Sequence, residues 1–435
     1  VKIISFIKQQ ISQSKLSFRQ LKRTDPNILV FIVYGLLYDI VINLYKPFAI
    51  KFLDRIDGNE FHISLYNSLP GFAAIFALLP GALIIGRFAR KKGITTMFFS
   101  LSRVFILMLA FVPFLPDTVK PMSFVLLISS MNFFDAVSQC SLQSFLGTTF
   151  NGFTRARAIS LRNKFGNFFV LVITLATGLI ITYVPGNNDS LRMKLYQIFF
   201  SLSFGFGILE IIIFNRFKEK HEETSEEANE KPGFGSIVAA LRDKKFMKFL
   251  LPTVFLYFTW QAGWPLSSII QIKNLHADEM WLAFFAVASG LASFFAASHW
   301  AKIIVKKGND FALIIAAVAM SANMVLFAVC PNLPVMILVS VFGGLFTIGM
   351  STTLLNGLLI STPDKNRVVY IGVYNTFINI TLAVSPYLSY LLFEKMTARP
   401  AISVIAALRL LAAGILLLCF ISSRKKNKVS TKTNQ

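Results

Sequence analysis

The sequence predicts an all-α polytopic membrane protein with twelve transmembrane helices arranged as two six-helix repeats. Three observations predict it. Apolar residues make up 55% of the 435 positions and charged residues only 15%, where a soluble chain carries about 25% charged. A charged interlude at 215–248 divides two apolar blocks of similar length. Short motifs in the first block return in the second at a near-constant offset.

The interlude reads EKHEETSEEANEK at 219–231, then Pro232, Gly233 and a basic run ending in Arg242, Lys244, Lys245 and Lys248. A polar segment of this kind cannot bury a core of its own, so it is expected to be a solvated cytoplasmic linker. Residues 1–26 set Ile3, Ile4, Ile7 and Ile11 against Lys8, Gln10 and Lys15, with no small-residue cleavage site following. They read as an interfacial cytoplasmic helix rather than a signal peptide.

A helix needs about 20 apolar residues to cross a bilayer. On that rule spans fall near 27–53, 63–86, 94–115, 120–146, 165–184 and 194–214, forming a first bundle over 27–214. The second bundle, 249–422, holds spans near 249–272, 279–301, 311–329, 334–360, 369–393 and 400–422, and 423–435 is a tail. Basic residues cluster in alternate connections: Lys22/Arg23, Arg87/Arg90/Lys91/Lys92, Arg155/Arg157/Arg162/Lys164, Lys302/Lys306/Lys307 and Arg424/Lys425/Lys426/Lys428. The intervening loops are short and poorer in positive charge, so both termini and the linker are expected on the cytoplasmic side. Composition suggests a bacterial inner membrane.

The net charge of +22 follows this placement, and no zinc-finger, RNA-binding or helix-turn-helix pattern points to nucleic acid. Cys140, Cys330 and Cys419 are far apart and odd in number, which argues against a disulfide framework. Histidine is scarce and no metal-ligand spacing occurs. There is no phosphate-binding glycine loop or nucleophile elbow, so no enzyme and no cofactor are expected.

The repetition is specific in order. Arg155 and Asn163 enter span 5 as Arg367 and Asn375 enter span 11, while Lys91-Lys92-Gly93 returns as Lys306-Lys307-Gly308 and Pro47 as Pro265. Such duplicated halves place a substrate site near the bilayer midplane, reached by alternating access.

Twelve spans as 6+6, a long central loop and a basic 2–3 loop together resemble the major facilitator superfamily across essentially the whole chain. The family's G-x-L-A-D-R-x-G-R-K motif aligns with Ala82-Leu83-Ile84-Ile85-Gly86-Arg87-Phe88-Ala89-Arg90-Lys91. Its basic positions match, its aspartate position is Gly86, and the exporter signatures of spans 4 and 5 are missing. The resemblance implies a secondary transporter in which spans 1, 4, 7 and 10 line the cavity. It also implies a cytoplasmic gate at Arg87, Arg90 and Lys91, and analogy within the repeat adds Arg155, Asn163, Arg367 and Asn375.

Charge at mid-membrane is costly, so ionisable groups within spans are the first site candidates. Asp39 in span 1, Arg103 in span 3 and Asp135 in span 4 lie at similar depth and are able to pair. Asp135 either lines the cavity or salt-bridges Arg103; Asp39 is a cavity group or a helix-packing partner. Helical spacing adds Asn43 beside Asp39, and Gln139 and Gln143 beside Asp135. Glu210 is expected to meet basic residues at the cytoplasmic end of span 6. The second half offers only Arg409 within its spans, expected to cap backbone carbonyls or reach out of the core.

Span 7 carries Tyr257, Trp260, Gln261 and Trp264, which suit an amphipathic organic ligand or an interfacial aromatic belt. Thr347 and Ser351 in span 10 and Asn379 in span 11 either contact ligand or hydrogen-bond between helices. These features predict alternating-access transport of a small organic solute, proton-linked through Asp135 or Asp39. A lipid flippase or a non-transporting receptor on the same scaffold is the alternative. The chain is expected to act as a monomer, with solute, protons and the bilayer as its partners.

Overall fold

The computed structural model describes residues 27–86, 91–149, 152–217, 234–363 and 367–433, with some side chains within these left undescribed. Residues 1–26, Arg87, Arg90 and the acidic part of the linker lie outside them. Every described element is helical. The first span is α1 (Asn27–Asn43) and α2 (Ala49–Arg55), joined through a 3-10 turn at Lys46–Phe48 that contains Pro47. Then come α3 (Glu60–Gly86), α4 (Lys91–Leu109), α5 (Lys120–Thr149), α6 (Gly152–Tyr183) and α7 (Asp189–Phe214).

After the linker follow α8 (Phe234–Arg242), α9 (Lys244–Ile269), α10 (Glu279–Lys307), α11 (Asn309–Val329), α12 (Leu333–Ser361), α13 (Arg367–Met396) and α14 (Ala398–Thr433). Ten helices in the described residues are long and apolar enough to cross a membrane. Helix starts follow local chemistry. Asn188, Asp243, Asp278 and Asn332 each accept a hydrogen bond from a backbone N–H in the first turn of the helix they precede, satisfying donors that the helix itself leaves free. At Gly308, between α10 and α11, φ is +90°, a conformation that suits glycine.

The stretch read as a solvated linker is partly structured. α8 packs Ile237 and Ala240 against Phe246, Tyr370 and Tyr374, because these apolar residues fall three apart on one helical face. α6 begins well before the apolar run at 165, so the basic Arg155–Asn163 stretch is helix and not loop.

The chain forms two compact units. Unit 1 is Val1–Ala49 with Phe76–Ser225; unit 2 is Ile50–Ile75 with Glu226–Gln435. The end of the first span and the first half of α3 therefore belong with the second unit, which the linker-bounded division did not anticipate. Inside each unit the pairing of helices is the same. In unit 1, α1 packs on α6 and α7, and α4 on α5 and α7; in unit 2, α9 packs on α13 and α14, and α11 on α12 and α14. That is one arrangement built twice.

Small residues make these contacts close, as expected where lipid removes the hydrophobic drive between helices. Ala312, Ala316 and Ala317 of α11 share a cluster with Ala412 and Ala413 of α14. Gly344 of α12 leaves no room between itself and the Ser289 backbone of α10, while Ser293 Oγ donates to Gly344 O at 2.8 Å. Large apolar side chains such as Phe168, Phe295 and Leu418 stay about two-thirds exposed, a surface suited to lipid.

In unit 2, α3 crosses α13 where Gly71 meets the backbone of Ala383. Gly71→Ala is expected to lower stability by about 1–3 kcal/mol through overpacking. Gly93→Ala, with nothing within 4 Å of the added atom, should leave the detergent melting temperature unchanged.

Candidate functional site

In unit 1 a guanidinium sits at the junction of α1, α4 and α7. Arg103 reaches it because Gly207 of α7 has no side chain: a Cβ there would stand 2.7 Å from Arg103 Cδ. Arg103 Nε donates to Glu210 Oε2 at 2.9 Å and Nη2 to Glu210 Oε1 at 3.0 Å, a two-pronged match of fork to carboxylate. Its Nη1 donates to Asp135 Oδ1 at 3.4 Å and to Ser102 Oγ at 3.2 Å. Tyr38 OH donates to the other oxygen of Asp135 at 3.0 Å. The guanidinium carbon also lies 5.5 Å from the Tyr38 ring centre and 5.6 Å from that of Phe99, within cation–π range.

Exposure separates the two carboxylates: Glu210 is 0% exposed and Asp135 15%. One cation therefore faces two acids, one sealed and one reachable. Tyr34, fully enclosed beside them, has a hydroxyl without a hydrogen-bond partner.

Asp39 belongs to a different pair. Arg162 Nη2 donates to Asp39 Oδ1 at 2.6 Å and to Gly35 O at 3.2 Å. Gly35 and Gly166 make the space, since a Cβ at either would overlap Arg162 or Asp39. Of the pairings that similar depth made possible, Arg103 with Asp135 forms, while Asp39 turns to Arg162 as a helix-packing partner, because similar depth did not mean a shared face. Glu210 is likewise corrected from the cytoplasmic boundary to the sealed centre of the cluster, because the long Arg103 side chain comes to it past Gly207.

Other candidates in unit 1 serve their own helices. Asn43 Nδ2 donates to Asp39 O at 2.8 Å, Gln139 is half-buried, and the Gln143 side chain lies outside the described residues. Among the gate candidates, Asn163 is exposed and accepts from Arg162 Nη1 at 3.1 Å. Arg87, Arg90 and the side chains of Lys91 and Arg155 lie outside the described residues. Arg367 opens α13, and exposed Asn375 offers its carbonyl to Asn379 Nδ2 at 2.9 Å.

In unit 2, Gln261 is buried and spent between helices. Its Oε1 accepts from Thr381 Oγ1 at 2.7 Å and its Nε2 donates to Ile378 O at 3.4 Å, so it braces α9 on α13. Trp264 is exposed and Ser351 is exposed. Tyr257 and Trp260 are half-buried, with ring centres 5.6 Å apart. Thr347 Oγ1 lies 3.6 Å from Met320 Sδ. Arg409 caps carbonyls, as expected: Nη1 donates to Met320 O at 3.0 Å, and Nη2 to Thr259 O at 2.7 Å and Trp260 O at 3.3 Å.

The second unit also holds acids that the sequence reading passed over. Glu279 at the start of α10 is 0% exposed and accepts from Arg55 Nε at 2.5 Å and Nη2 at 3.1 Å. Lys273 Nζ lies 2.5 Å from Asp54. Ser64 Oγ of α3 donates to Pro386 O of α13 at 2.7 Å. Phe61 packs edge-on to Tyr387 and Tyr390. The segment Ile50–Ile75 is thereby fastened to the turn Ile270–Asn274 that follows α9, to α10 and to α13.

The sequence profile of the Major Facilitator Superfamily matches residues 28–362 and 253–435. The chain belongs to this superfamily. Its fold agrees with solved members. A point mutant of the nucleoside transporter NupG superposes with a TM-score of 0.72 at 10% identity, over 90% of this chain and 99% of that one. A D-xylose-proton symporter gives 0.64 at 13% identity, over 89% and 96%. A bacterial homologue of the human lysosomal transporter Spinster, solved inward-facing and unoccupied, gives 0.66 at 12%, over 90% and 96%. No curated protein matches the sequence.

For this superfamily member the Arg103 cluster makes a stability prediction. Removing one partner of a buried pair costs about 3–5 kcal/mol, whereas replacing both with apolar groups is often near neutral. Arg103→Met is therefore expected to lower the melting temperature more than the double change Arg103→Met/Glu210→Met, measured by thermal unfolding in detergent. Equal losses would mean that the ion pair is not what holds the junction.

Proposed function

We propose that the protein is a secondary active transporter of a small organic solute, proton-coupled through Asp135 and working by alternating access. The observation that carries this reading is the mismatch of two carboxylates to one guanidinium. With both acids ionised, Arg103, Glu210 and Asp135 sum to one negative charge inside an apolar bundle. A charge near mid-membrane costs about 2.5–3.5 kcal/mol on insertion scales, so neutralising it is favourable. Glu210 holds the guanidinium by two short bonds and has no exposure. Asp135 has the longer contact, a tyrosine hydroxyl and an open side. A proton arriving at Asp135 cancels the excess charge and weakens its hold on Arg103, linking proton occupancy to the packing of α1, α4 and α5.

The Asp39–Arg162 pair is balanced and needs no proton; it serves as a brace between α1 and α6. Alternating access requires the segment Ile50–Ile75 to part from α10, α13 and the turn after α9, and its fastening by exchangeable ion pairs and hydrogen bonds suits that role. The placement of Lys and Arg supports cytoplasmic termini in a bacterial inner membrane, with Asn163, Arg367 and Asn375 on the cytoplasmic side. Proton symport by the D-xylose-proton symporter supports the coupling class, though not the solute.

The test begins with melting temperatures of the purified protein against sugars, nucleosides, amino acids, organic acids and cationic amphiphiles, since a ligand of the folded state raises its stability. A stabilising solute is then followed in proteoliposomes. Asp135→Asn is expected to abolish accumulation driven by a pH gradient while keeping solute exchange across the membrane. Undiminished gradient-driven accumulation by this variant would overturn the coupling assignment.

A further inference from the structure

The duplicated packing places a guanidinium at the same kind of three-helix junction in both units. In unit 1 it comes from α4, lies among α1, α4 and α7, and meets two carboxylates. In unit 2 it is Arg409 of α14, lying among α9, α11 and α14, and it meets only backbone carbonyls of Thr259, Trp260 and Met320. Arg409 is 0% exposed, its Nε has no hydrogen-bond partner, and no described carboxylate pairs with it. Carbonyl dipoles satisfy hydrogen bonds but do not cancel a charge. An uncompensated charge in a low-dielectric interior is poorly screened and acts on its surroundings over long range.

What adjoins it are three of the sequence candidates of unit 2, the half-buried Tyr257, Trp260 and Thr347. Trp260 shares its carbonyl with Arg409, and the Tyr257 ring lies tilted against that of Trp260. Met320 gives its carbonyl to Arg409 and its sulfur to Thr347. Two half-buried rings, and a hydroxyl that meets the buried Met320 sulfur, offer an apolar surface with one polar handle, beside a fixed positive charge. Resting on the transporter reading above, we propose that the solute is an organic anion with a flat, apolar body, bound on the Tyr257–Trp260–Thr347 face. Arg409 attracts its anionic group without touching it.

The missing counter-charge can be supplied. Met324 of α11 and Arg409 lie side by side against Gly263: a Cβ there would be 2.9 Å from Met324 Sδ and 3.1 Å from Arg409 Nη2. Met324→Glu should pair with Arg409 and cancel its field; Met324→Gln, of the same shape, should not. As a second variant, Thr347→Asp puts a negative charge on the half-exposed face itself, with Thr347→Asn as its neutral partner.

The probes are indole-3-acetate, indole-3-acetamide and tryptamine, which share one ring system and differ in charge, read as concentration-dependent melting shifts of the full chain. The acetate is expected to stabilise wild type, Met324→Gln and Thr347→Asn, with apparent affinity at least about tenfold weaker in Met324→Glu and Thr347→Asp. Equal shifts from the amide or amine, or an acetate response that survives both acidic variants, would overturn the anion assignment while leaving proton-coupled transport standing. No shift from any of the three would overturn the assignment of this face.

Discussion

A charge placed inside a membrane-spanning bundle must be neutralised within reach of its own side chain, and in unit 1 that requirement organises four helices at once. Arg103, Glu210 and Asp135 come from α4, α7 and α5, and Tyr38 of α1 closes the ring of contacts. The geometry is possible only because Gly207 leaves a channel for the aliphatic part of Arg103. The aromatic packing of Tyr34, Phe99 and Phe214 then surrounds the ion cluster, excluding water and strengthening every electrostatic term inside. One acid is locked and the other partly open. The proposed transport coupling rests on that inequality.

The second unit answers the same packing problem with different chemistry. Its matching junction is held by a cation on carbonyls, and its acids sit instead at one end, where Glu279 and Asp54 bind Arg55 and Lys273. Unit 1 thus concentrates negative charge in its interior and unit 2 positive charge. Opposite interior signs are what the proposed joint movement of a proton and an anion calls for, since that combination leaves the least net charge in transit.

Much of this was legible in the sequence. Hydrophobic runs located the spans, because bilayer thickness sets helix length directly, although α6 and α14 run on into the basic segments beyond them. Asp135 and Arg103 stood out because mid-span charge is rare, and Arg409, for want of an acid in the spans around it, was read as capping carbonyls or reaching out of the core. What was not legible depended on rotation about helix axes. Asp39 and Asp135 have similar depth, yet Gly35 and Gly166 turn Asp39 to Arg162, which had been counted only as one of a basic cluster. Glu210 was hidden by its closeness to a helix end. The membership of Ile50–Ile75 in the second unit depends on pairs such as Arg55 with Glu279 and Ser64 with Pro386, separated by hundreds of residues and unmarked by any local motif.

The proposed coupling requires that one carboxyl group of the cluster exchange a proton, and that it be Asp135. Infrared difference spectroscopy of the protein in lipid, stepped between acidic and basic pH, reads the protonated carboxyl stretch directly. A reversible carboxyl band present in wild type and in Asp39→Asn, and missing in Asp135→Asn, is the predicted result. A band that persists in Asp135→Asn, or one lost in Asp39→Asn instead, would contradict the account.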